Sequence, residues 1–395
     1  MGQTLQAPRR LSNRIGRVVL RIAIDARMIR SGSMHGIARY VYQLLNGLAH
    51  LKRDHQYFVL VNEASPLYEL NWPSHITMVE MKSNWISLLE QKEIPSILKK
   101  VKADLFHAPS FVAPMFVPCK MIMTIHDLNH MVLPQFYTLF HQFYYQIIVR
   151  SSIRRSEFIL TVSQFSKREI VRTLGLESSK IFVTYNGVSP RYKPIKDMEY
   201  LNYVRDIYGL PDEFILCVSN NKPHKNVQQL VRAYCFSDIK IPLVLACPVD
   251  RDLIYIAENY GKKHLLYFSK FVAEEHLPAF YSMTKLFVYP STYEGFGLPP
   301  LEALSCGTPV VVSQTSSLPE VVGPHAIFTN PYDFKTIARA LEDGISNSSL
   351  RRKLAEDGLK HATKYSWSKM TLQTLNVYEC CGRLGQASTA DLEIS

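Results

Sequence analysis

The chain has 395 residues, of which 47% are hydrophobic and 20% are charged, a composition that fits two globular domains and excludes a disordered or fibrous chain. Its formal net charge of +11 indicates an anionic partner, and nucleic acid, an acidic membrane surface and phosphorylated small molecules are the three alternatives. The sequence carries no RRM, zinc-finger or helix-turn-helix signature, so we predict no nucleic-acid partner.

Cysteine usage and the N-terminal residues indicate the compartment. Seven cysteines include no CxxC pair, which suits a reducing cytosol. Residues 1–17 form a basic tail without the apolar core of a signal peptide, and no stretch reaches the ~20 apolar residues of a membrane helix. We predict a cytoplasmic protein, soluble or peripheral on the inner face of the plasma membrane. The tail and the amphipathic stretch 85–102 are candidate docking segments, although the stretch equally fits an ordinary packed helix.

Strands alternate with helices in the first half of the chain. Residues 18–25 predict a strand, which a glycine-containing loop at 31–36 and a helix at 37–48 follow. In the amphipathic stretch 85–102 we expect Pro95 to interrupt the helix. The other predicted strands are 57–61, 76–79, 105–107, 121–126, 159–162 and 181–184.

A second series follows a turn-rich boundary. Asn-Gly and Pro signals at 185–192 end the first series, and irregular residues continue to about 211. Strands are predicted at 214–218, 243–246, 265–268, 286–289 and 310–313, before a last helix at 367–381 and a tail at 382–395. Two such series predict an α/β protein with two doubly wound domains, 18–190 and 205–366. Ligands bind such sheets outside the carboxyl ends of the strands, which places function in the interdomain cleft.

The most informative stretch is 288–307, VYPSTYEGFGLPPLEALSCG. An apolar strand ends before Glu294, a glycine loop follows, and Pro299 begins a helix. Glycines let backbone N–H groups approach a ligand, and a helix N-terminus carries partial positive charge. The stretch therefore predicts a seat for a diphosphate, formed by Gly295, Phe296, Gly297 and Leu298.

Two acids flank this seat. Glu294 precedes the helix and Glu302 lies about a turn inside it. We expect Glu302 to accept hydrogen bonds from ribose hydroxyls and Glu294 to accept them from sugar hydroxyls, at roughly 1.5–3 kcal/mol each. The alternative is that each carboxylate only favours the helix dipole, which contributes about 0.3–1 kcal/mol.

The string EGFGLPPLE at 294–302, followed by GTPV, resembles the E-x7-E motif of glycosyltransferase family 4. The resemblance extends from about Ile22 to about Trp367. It implies a GT-B fold of two Rossmann-like domains, transfer from a nucleotide-sugar with retention of configuration, and the roles given above for the two glutamates. It also implies an N-terminal acceptor domain, on which helix 367–381 packs back, and a C-terminal nucleotide-sugar-binding domain.

The segments DARMI, GIARY and NKPHKN look most like bacterial mannosyl- or other hexosyltransferases of surface polysaccharide assembly. This likeness favours GDP-mannose as the donor, with a UDP-sugar as the alternative. It implies a saccharide or a lipid-linked saccharide as the acceptor.

Lys225 follows the first strand of the second domain and can neutralise the departing diphosphate. The family pattern has a glycine and an arginine where this chain has Ser219 and Asn220, which makes Lys222 a candidate substitute for the second cation. The alternative for both lysines is a solvated loop position.

In the first domain the resemblance places His126 beside the donor sugar and Gly36 near the sugar and diphosphate. His107 is expected at the same edge of the sheet, although a lone histidine is more often structural. We expect Arg39 to be an exposed or packing residue and Glu320 to be only a helix-start carboxylate.

No Asp-x-Asp is convincingly placed to hold a metal, so we predict metal-independent transfer without a cofactor. The competing hypotheses are a glycogen- or sucrose-type synthase, for which the chain is short, and a GT-B epimerase or phosphorylase-like enzyme. A non-enzymatic polyanion-binding protein would leave the paired glutamates unexplained.

Overall fold

The computed structural model describes residues 19–30, 36–132, 145–220, 222–269 and 271–384. The predicted basic tail 1–17, most of the first glycine loop and residues 385–395 lie outside the described residues. Two parallel sheets organise the chain, one in each half of the sequence. The prediction of two tandem α/β units is therefore confirmed.

The first sheet has the strand order β3-β2-β1-β4-β5-β6-β7. Its strands are β1 Arg21–Asp25, β2 Gln56–Asn62, β3 Ile76–Met81, β4 Leu105–Ala108, β5 Lys120–Ile125, β6 Phe158–Thr161 and β7 Ile181–Val183. The helices of this half that the argument uses are α1 Gly36–His50, α2 Glu90–Lys100, α3 Arg150–Arg155 and α4 Gln164–Leu174.

The second sheet has the strand order β10-β9-β8-β11-β12-β13. Its strands are β8 Ile215–Val218, β9 Leu243–Ala246, β10 Leu266–Phe268, β11 Leu286–Tyr289, β12 Val310–Ser313 and β13 Ile327–Thr329. The helices are α5 Met198–Tyr208, α6 Val227–Phe236, α7 Arg251–Asn259, α8 Leu277–Met283, α9 Leu298–Ser305, α10 Leu318–Val322, α11 Phe334–Ser346, α12 Ser348–Ala362 and α13 Trp367–Arg383.

Burial explains why short apolar runs form the central strands. Every residue of β6, β11 and β12 is buried, because helices cover both faces of each parallel sheet. Strands of this kind are continuous apolar runs without alternation, and the sequence shows such runs. The three-residue edge strand β13 was not predicted from the sequence.

Helix α2 corrects one prediction. It begins at Glu90, and Pro95 lies inside it without interrupting it. Proline removes one backbone donor from the helix. The helix nevertheless continues, and Ile94 and Leu98, on either side of the proline in sequence, are both buried in the core.

The last helix, α13, leaves the second half of the chain and packs on the first. Its residues Trp367, Met370 and Tyr378 belong to the same apolar core as residues of β1 and α1. We define the first lobe as the first sheet with its helices and α13, and the second lobe as the second sheet with residues 198–362.

Candidate active site between the two lobes

Glu294, Lys225 and Tyr289 form a hydrogen-bonded cluster in the second lobe. Glu294 Oε1 accepts hydrogen bonds from Lys225 Nζ at 2.7 Å and from the Tyr289 hydroxyl at 2.9 Å. Lys225 Nζ also donates to the Tyr289 hydroxyl at 2.8 Å. The cluster forms because Lys225 follows β8 and Tyr289 ends β11, and these two strands are paired neighbours.

The charges within this cluster stabilise each other. Burial favours a neutral Glu294, but the Lys225 ammonium and the hydrogen bonds from Lys225, Ser291 and Tyr289 outweigh it and hold the pKa of the carboxyl below its usual value. Burial likewise opposes the charge on Lys225, and Glu294 and Tyr289 outweigh it and raise the pKa of the ammonium. The site therefore favours a Glu294 carboxylate beside a Lys225 ammonium.

The loop that begins at Glu294 is pressed against the first lobe. Ser163 and Ser166 donate hydrogen bonds to the Gly295 carbonyl at 2.7 and 3.1 Å. A Cβ at position 295 would lie 2.1 Å from the carbonyl oxygen of His126. Glycine is required here because the other lobe occupies the space.

Gly297, by contrast, is required by its own backbone. Its φ of 102° lies in the left-handed region, and a Cβ would lie 2.6 Å from Leu318 Cδ2. This conformation ends the loop and begins α9. Leu298, the first residue of α9, packs partly buried against the cores of both lobes.

Phe296, predicted to contribute its backbone to the diphosphate seat, has its side chain packed in the core. Its side chain is only 4% exposed and lies in the core, with ring centroids 6.5 Å from Tyr185 and 5.8 Å from Tyr365. The aromatic ring therefore holds the loop in place, and backbone groups are all that this residue can offer a donor.

Glu302 lies on α9 and is bound from both lobes. Its Oε1 accepts a hydrogen bond from Arg39 Nη1 of the first lobe at 2.6 Å, and its Oε2 accepts one from the Tyr281 hydroxyl at 3.2 Å. Burial is the largest influence and raises the pKa of Glu302, while the Arg39 guanidinium opposes the rise. The expectation that Arg39 is only an exposed or packing residue is wrong.

Glu320 also has a larger part than expected. Its carboxylate accepts hydrogen bonds from the backbone N–H groups of Gln164 and Phe165 at 2.7 and 3.0 Å. It therefore caps the N-terminus of α4 in the first lobe, although it lies on α10 of the second. No local pattern in the sequence indicates this contact.

The two candidate histidines lie in different environments. His126 follows β5 beside Gly295, its Nε2 donates to the Pro109 carbonyl at 3.0 Å, and its ring contacts Tyr40 at 4.8 Å. His107 is fully buried, with Nδ1 2.5 Å from the Tyr378 hydroxyl. Burial lowers the pKa of His107 to about 3, so it is a neutral core residue and not a residue of the cleft.

The remaining predicted positions are exposed. Gly36 begins α1, and a Cβ there would meet nothing within 4 Å. Lys222 and Asn220 lie on the exposed side of the loop after β8, where the Asn220 side chain accepts a hydrogen bond from the Lys222 backbone at 3.2 Å. The structure brings Lys225 to Glu294 and leaves these two residues at the solvent.

Among the described residues, no three His, Cys, Asp or Glu side chains are grouped as a metal ion would require. Within the same part of the chain, no helix combines the length and the hydropathy that crossing a membrane demands.

Two parallel α/β lobes that meet at a glycine loop define the GT-B fold. Sucrose-phosphate synthase from Thermosynechococcus elongatus has the same fold, with a TM-score of 0.75 at 19% identity, over 93% of this chain and 100% of that chain. Anabaena Alr3699/HepE in complex with UDP and glucose has a TM-score of 0.73 at 17% identity, over 91% of this chain and 100% of that chain. The predicted GT-B fold is confirmed.

The family follows from sequence. The family description Glycosyltransferase Family 4 matches residues 34–192, and Glycosyl transferases group 1 matches residues 205–361. The O-antigen chain mannosyltransferase B of Escherichia coli is 31% identical over 299 residues, which cover 74% of this chain and 78% of that protein. The serotype-specific mannosyltransferase WbdA of Escherichia coli is 32% identical over 64% of this chain, but over only 32% of its own length. The chain belongs to glycosyltransferase family 4 and is a glycosyltransferase, as the E-x7-E resemblance predicted.

Proposed function

We propose that this enzyme transfers mannose from GDP-mannose, with retention of configuration, to a saccharide or lipid-linked saccharide acceptor on the cytoplasmic side of surface polysaccharide assembly. The similarity to O-antigen chain mannosyltransferase B of Escherichia coli supports mannose. A UDP-sugar is the alternative donor, because the Alr3699/HepE structure of the same fold contains UDP and glucose.

The observation that carries the proposal is the pair of Lys225 and Glu294, 2.7 Å apart beside the start of α9. A diphosphate seated on the backbone of residues 295–298 would lie next to this ammonium and a helix N-terminus, both of which favour an anion. Glu294 and His126 would orient the sugar, and Glu302 would bind the ribose. Gly36, Lys222 and Asn220 would flank the phosphates, with the donor held mainly by the second lobe and the acceptor by the first.

Retention without a protein nucleophile requires attack from the front side of the sugar. The acceptor hydroxyl approaches the sugar from the face that the diphosphate leaves, so the bond from the anomeric carbon to the phosphate oxygen breaks as the new glycosidic bond forms. The departing phosphate oxygen takes the hydroxyl proton. Lys225 stabilises the negative charge that builds on the diphosphate, and positioning replaces a protein nucleophile.

Product analysis with labelled donor tests this proposal. We expect the full chain to transfer label from GDP-mannose, and less or none from UDP-hexoses, to a lipid-linked saccharide, with an α-linkage and no loss of rate in EDTA. Formation of a hexose 1-phosphate from inorganic phosphate, or an epimerised nucleotide-sugar without acceptor, would instead support the competing enzymes. A product with inverted configuration would refute retention alone.

We also propose that the first lobe docks on an anionic membrane, where a lipid-linked acceptor resides. The apolar stripe of α2 packs in the core, where Ile94 and Leu98 are buried, so it is not free to contact a membrane. Leu88 and Leu89, just before α2, are 62% and 68% exposed. Within the predicted stretch 85–102, we therefore assign membrane docking to Leu88 and Leu89 and not to α2 itself.

Phe116 and Arg155 extend this exposed surface, and the exposed Arg154 precedes Arg155 in α3. Phe116 is 61% exposed, and the Arg155 guanidinium lies 4.2 Å from the centre of its ring. Gln91 of α2 accepts a hydrogen bond from the Met115 backbone at 2.9 Å, which joins the two parts. We name the group Leu88, Leu89, Phe116, Arg154 and Arg155 the α2 rim. Its apolar side chains suit insertion among lipids, and its arginines suit anionic headgroups.

Vesicle co-sedimentation tests the α2 rim. Binding to vesicles that contain phosphatidylglycerol should exceed binding to pure phosphatidylcholine, and both Leu88→Ser with Leu89→Ser and Arg154→Gln with Arg155→Gln should weaken it. The exposed pair Arg352→Gln with Lys353→Gln on α12 is the control for loss of two charges. Equal binding to charged and uncharged vesicles would exclude this surface. So would a control variant that weakens binding as much as the α2 rim variants do.

A further inference from the structure

Arg39 makes a charged contact across the junction of the lobes. It lies in the first turn of α1, and its Nη1 is 2.6 Å from Oε1 of Glu302 on α9. Only 18% of the Arg39 side chain and 5% of the Glu302 side chain are exposed. Hydrogen bonds between charged groups are strong when solvent is excluded, so this contact fixes the orientation of the carboxylate.

The other end of the guanidinium is held as well. Arg39 Nη2 lies 3.1 Å from Oε1 of Glu274, which precedes α8. Glu274 in turn lies 3.3 Å from Nη1 of Arg191, in the segment that connects the lobes. A planar guanidinium bound at both terminal nitrogens has little freedom to turn. Arg39 is thus held between Glu302 and Glu274, and it carries the contact of the first lobe with Glu302.

Glu302 keeps the capacity to bind a ligand while it is held in this way. A carboxylate offers about four lone-pair positions, and Arg39 and Tyr281 each donate to a different oxygen. Each oxygen can therefore accept a further hydrogen bond. Two adjacent hydroxyl groups of a ribose have the spacing to use both oxygens of one carboxylate.

We propose that Arg39 is a positioning residue for the donor. Its guanidinium turns the Glu302 carboxylate toward the ribose hydroxyls, and it does so when the lobes are together. This inference rests on the proposed function, in which Glu302 binds the ribose of a nucleotide-sugar. Ribose recognition is then a property of the closed pair of lobes and not of the second lobe alone.

The experiment compares ribose with deoxyribose. Calorimetry gives the Kd of the full chain for GDP and for 2′-deoxy-GDP, or for the uridine pair if UDP is the nucleotide that binds. The wild-type chain should bind the ribonucleotide roughly 10-fold to 100-fold more tightly, as the loss of a charge-assisted hydrogen bond implies. Arg39→Gln should bring this ratio close to one, and Arg39→Lys should give an intermediate ratio because it keeps the charge without the planar fork.

Arg191→Gln is the matched control, because Arg191 belongs to the same ion network but its ion pair is with Glu274 and not with Glu302. It should keep the wild-type ratio. A ratio that stays unchanged in Arg39→Gln and Arg39→Lys, or both nucleotides weakened equally, would show that Arg39 only joins the lobes. If the wild-type chain bound neither nucleotide and transferred no sugar, the proposed function itself would fail instead.

Discussion

The two acids of the motif are built by different means. Glu294 receives its hydrogen bonds from Lys225 and Tyr289, which both belong to its own lobe. Glu302 receives its strongest contact from Arg39 of the other lobe. One half of the site is therefore complete when the second lobe folds, and the other half is complete only when the lobes meet.

The electrostatics differ in the same way. Burial raises the pKa of both carboxyls. Only Glu294 has a pKa below its usual value, because the Lys225 ammonium and the hydrogen bonds that Glu294 accepts outweigh the burial. For Glu302 burial prevails over Arg39, and Glu274 adds a second negative charge nearby. The charged form is therefore favoured more strongly for Glu294, whose cation lies in its own lobe, than for Glu302, whose cation belongs to the other lobe.

The largest expected effect is that of Glu294→Gln on transfer. The amide keeps the size of the side chain but removes the negative charge that Lys225 binds and the acceptor for sugar hydroxyls. We expect kcat to fall by roughly 10³-fold or more, as when a main electrostatic group of an active site is lost. Circular dichroism controls for folding, and a kcat within about threefold of wild type would exclude Glu294 from the chemistry.

Lys225→Met breaks the same pair from the other side and should cost about 10²–10³-fold in kcat. It also leaves Glu294 buried without its cation, which destabilises by roughly 3–5 kcal/mol when a buried pair is broken. Urea unfolding should show that the double variant Lys225→Met with Glu294→Gln is more stable than Lys225→Met alone. A double variant that is less stable would mean that the pair does not act as a unit.

Gly295→Ala tests the contact between the lobes. The new methyl group would lie 2.1 Å from the His126 carbonyl oxygen, so the lobes must shift apart. We expect roughly tenfold lower kcat/KM from this misplacement. Gly36→Ala, where the methyl group meets nothing within 4 Å, is the matched control for stability. Equal unfolding midpoints for the two variants would indicate that the lobes are not pressed together at Gly295.

The smallest effect is on the pH dependence of stability. The folded pKa of Glu294 lies below its unfolded value, so the stability it contributes is present above about pH 4.3 and is lost as pH falls through the folded pKa. Glu302 has a raised pKa and contributes the opposite slope: its contribution to stability is present below about pH 4.3 and is lost as pH rises through the folded pKa. Thermal unfolding at several pH values should show a smaller acid loss in Glu294→Gln than in wild type. An unchanged or larger acid loss would contradict the lowered pKa.

The strand pattern of the sequence accounts for the part of the site that lies within the second lobe. Lys225 and Glu294 each follow a strand, and the carboxyl ends of neighbouring parallel strands meet at one edge of a sheet, so their proximity follows from the strand pattern. The start of α9 was predicted because Gly297 and Pro299 mark it directly.

Contacts between the lobes could not be predicted in this way. Arg39 and Glu302 are separated by 263 positions in the sequence, and Glu320 and Gln164 by 156. Such contacts depend on how two separately patterned units fit together, which no periodicity records. His107 was misplaced because the α13 residue that binds it, Tyr378, lies 271 positions away.

The return of α13 to the first lobe has a consequence for biosynthesis. Trp367, Met370 and Tyr378 complete the core around β1 and α1, yet they are translated after the entire second lobe. The first lobe therefore lacks part of its core until α13 has been synthesised. The folding of the two lobes is therefore coupled, because the core of the first lobe needs a helix that follows the second lobe in the sequence.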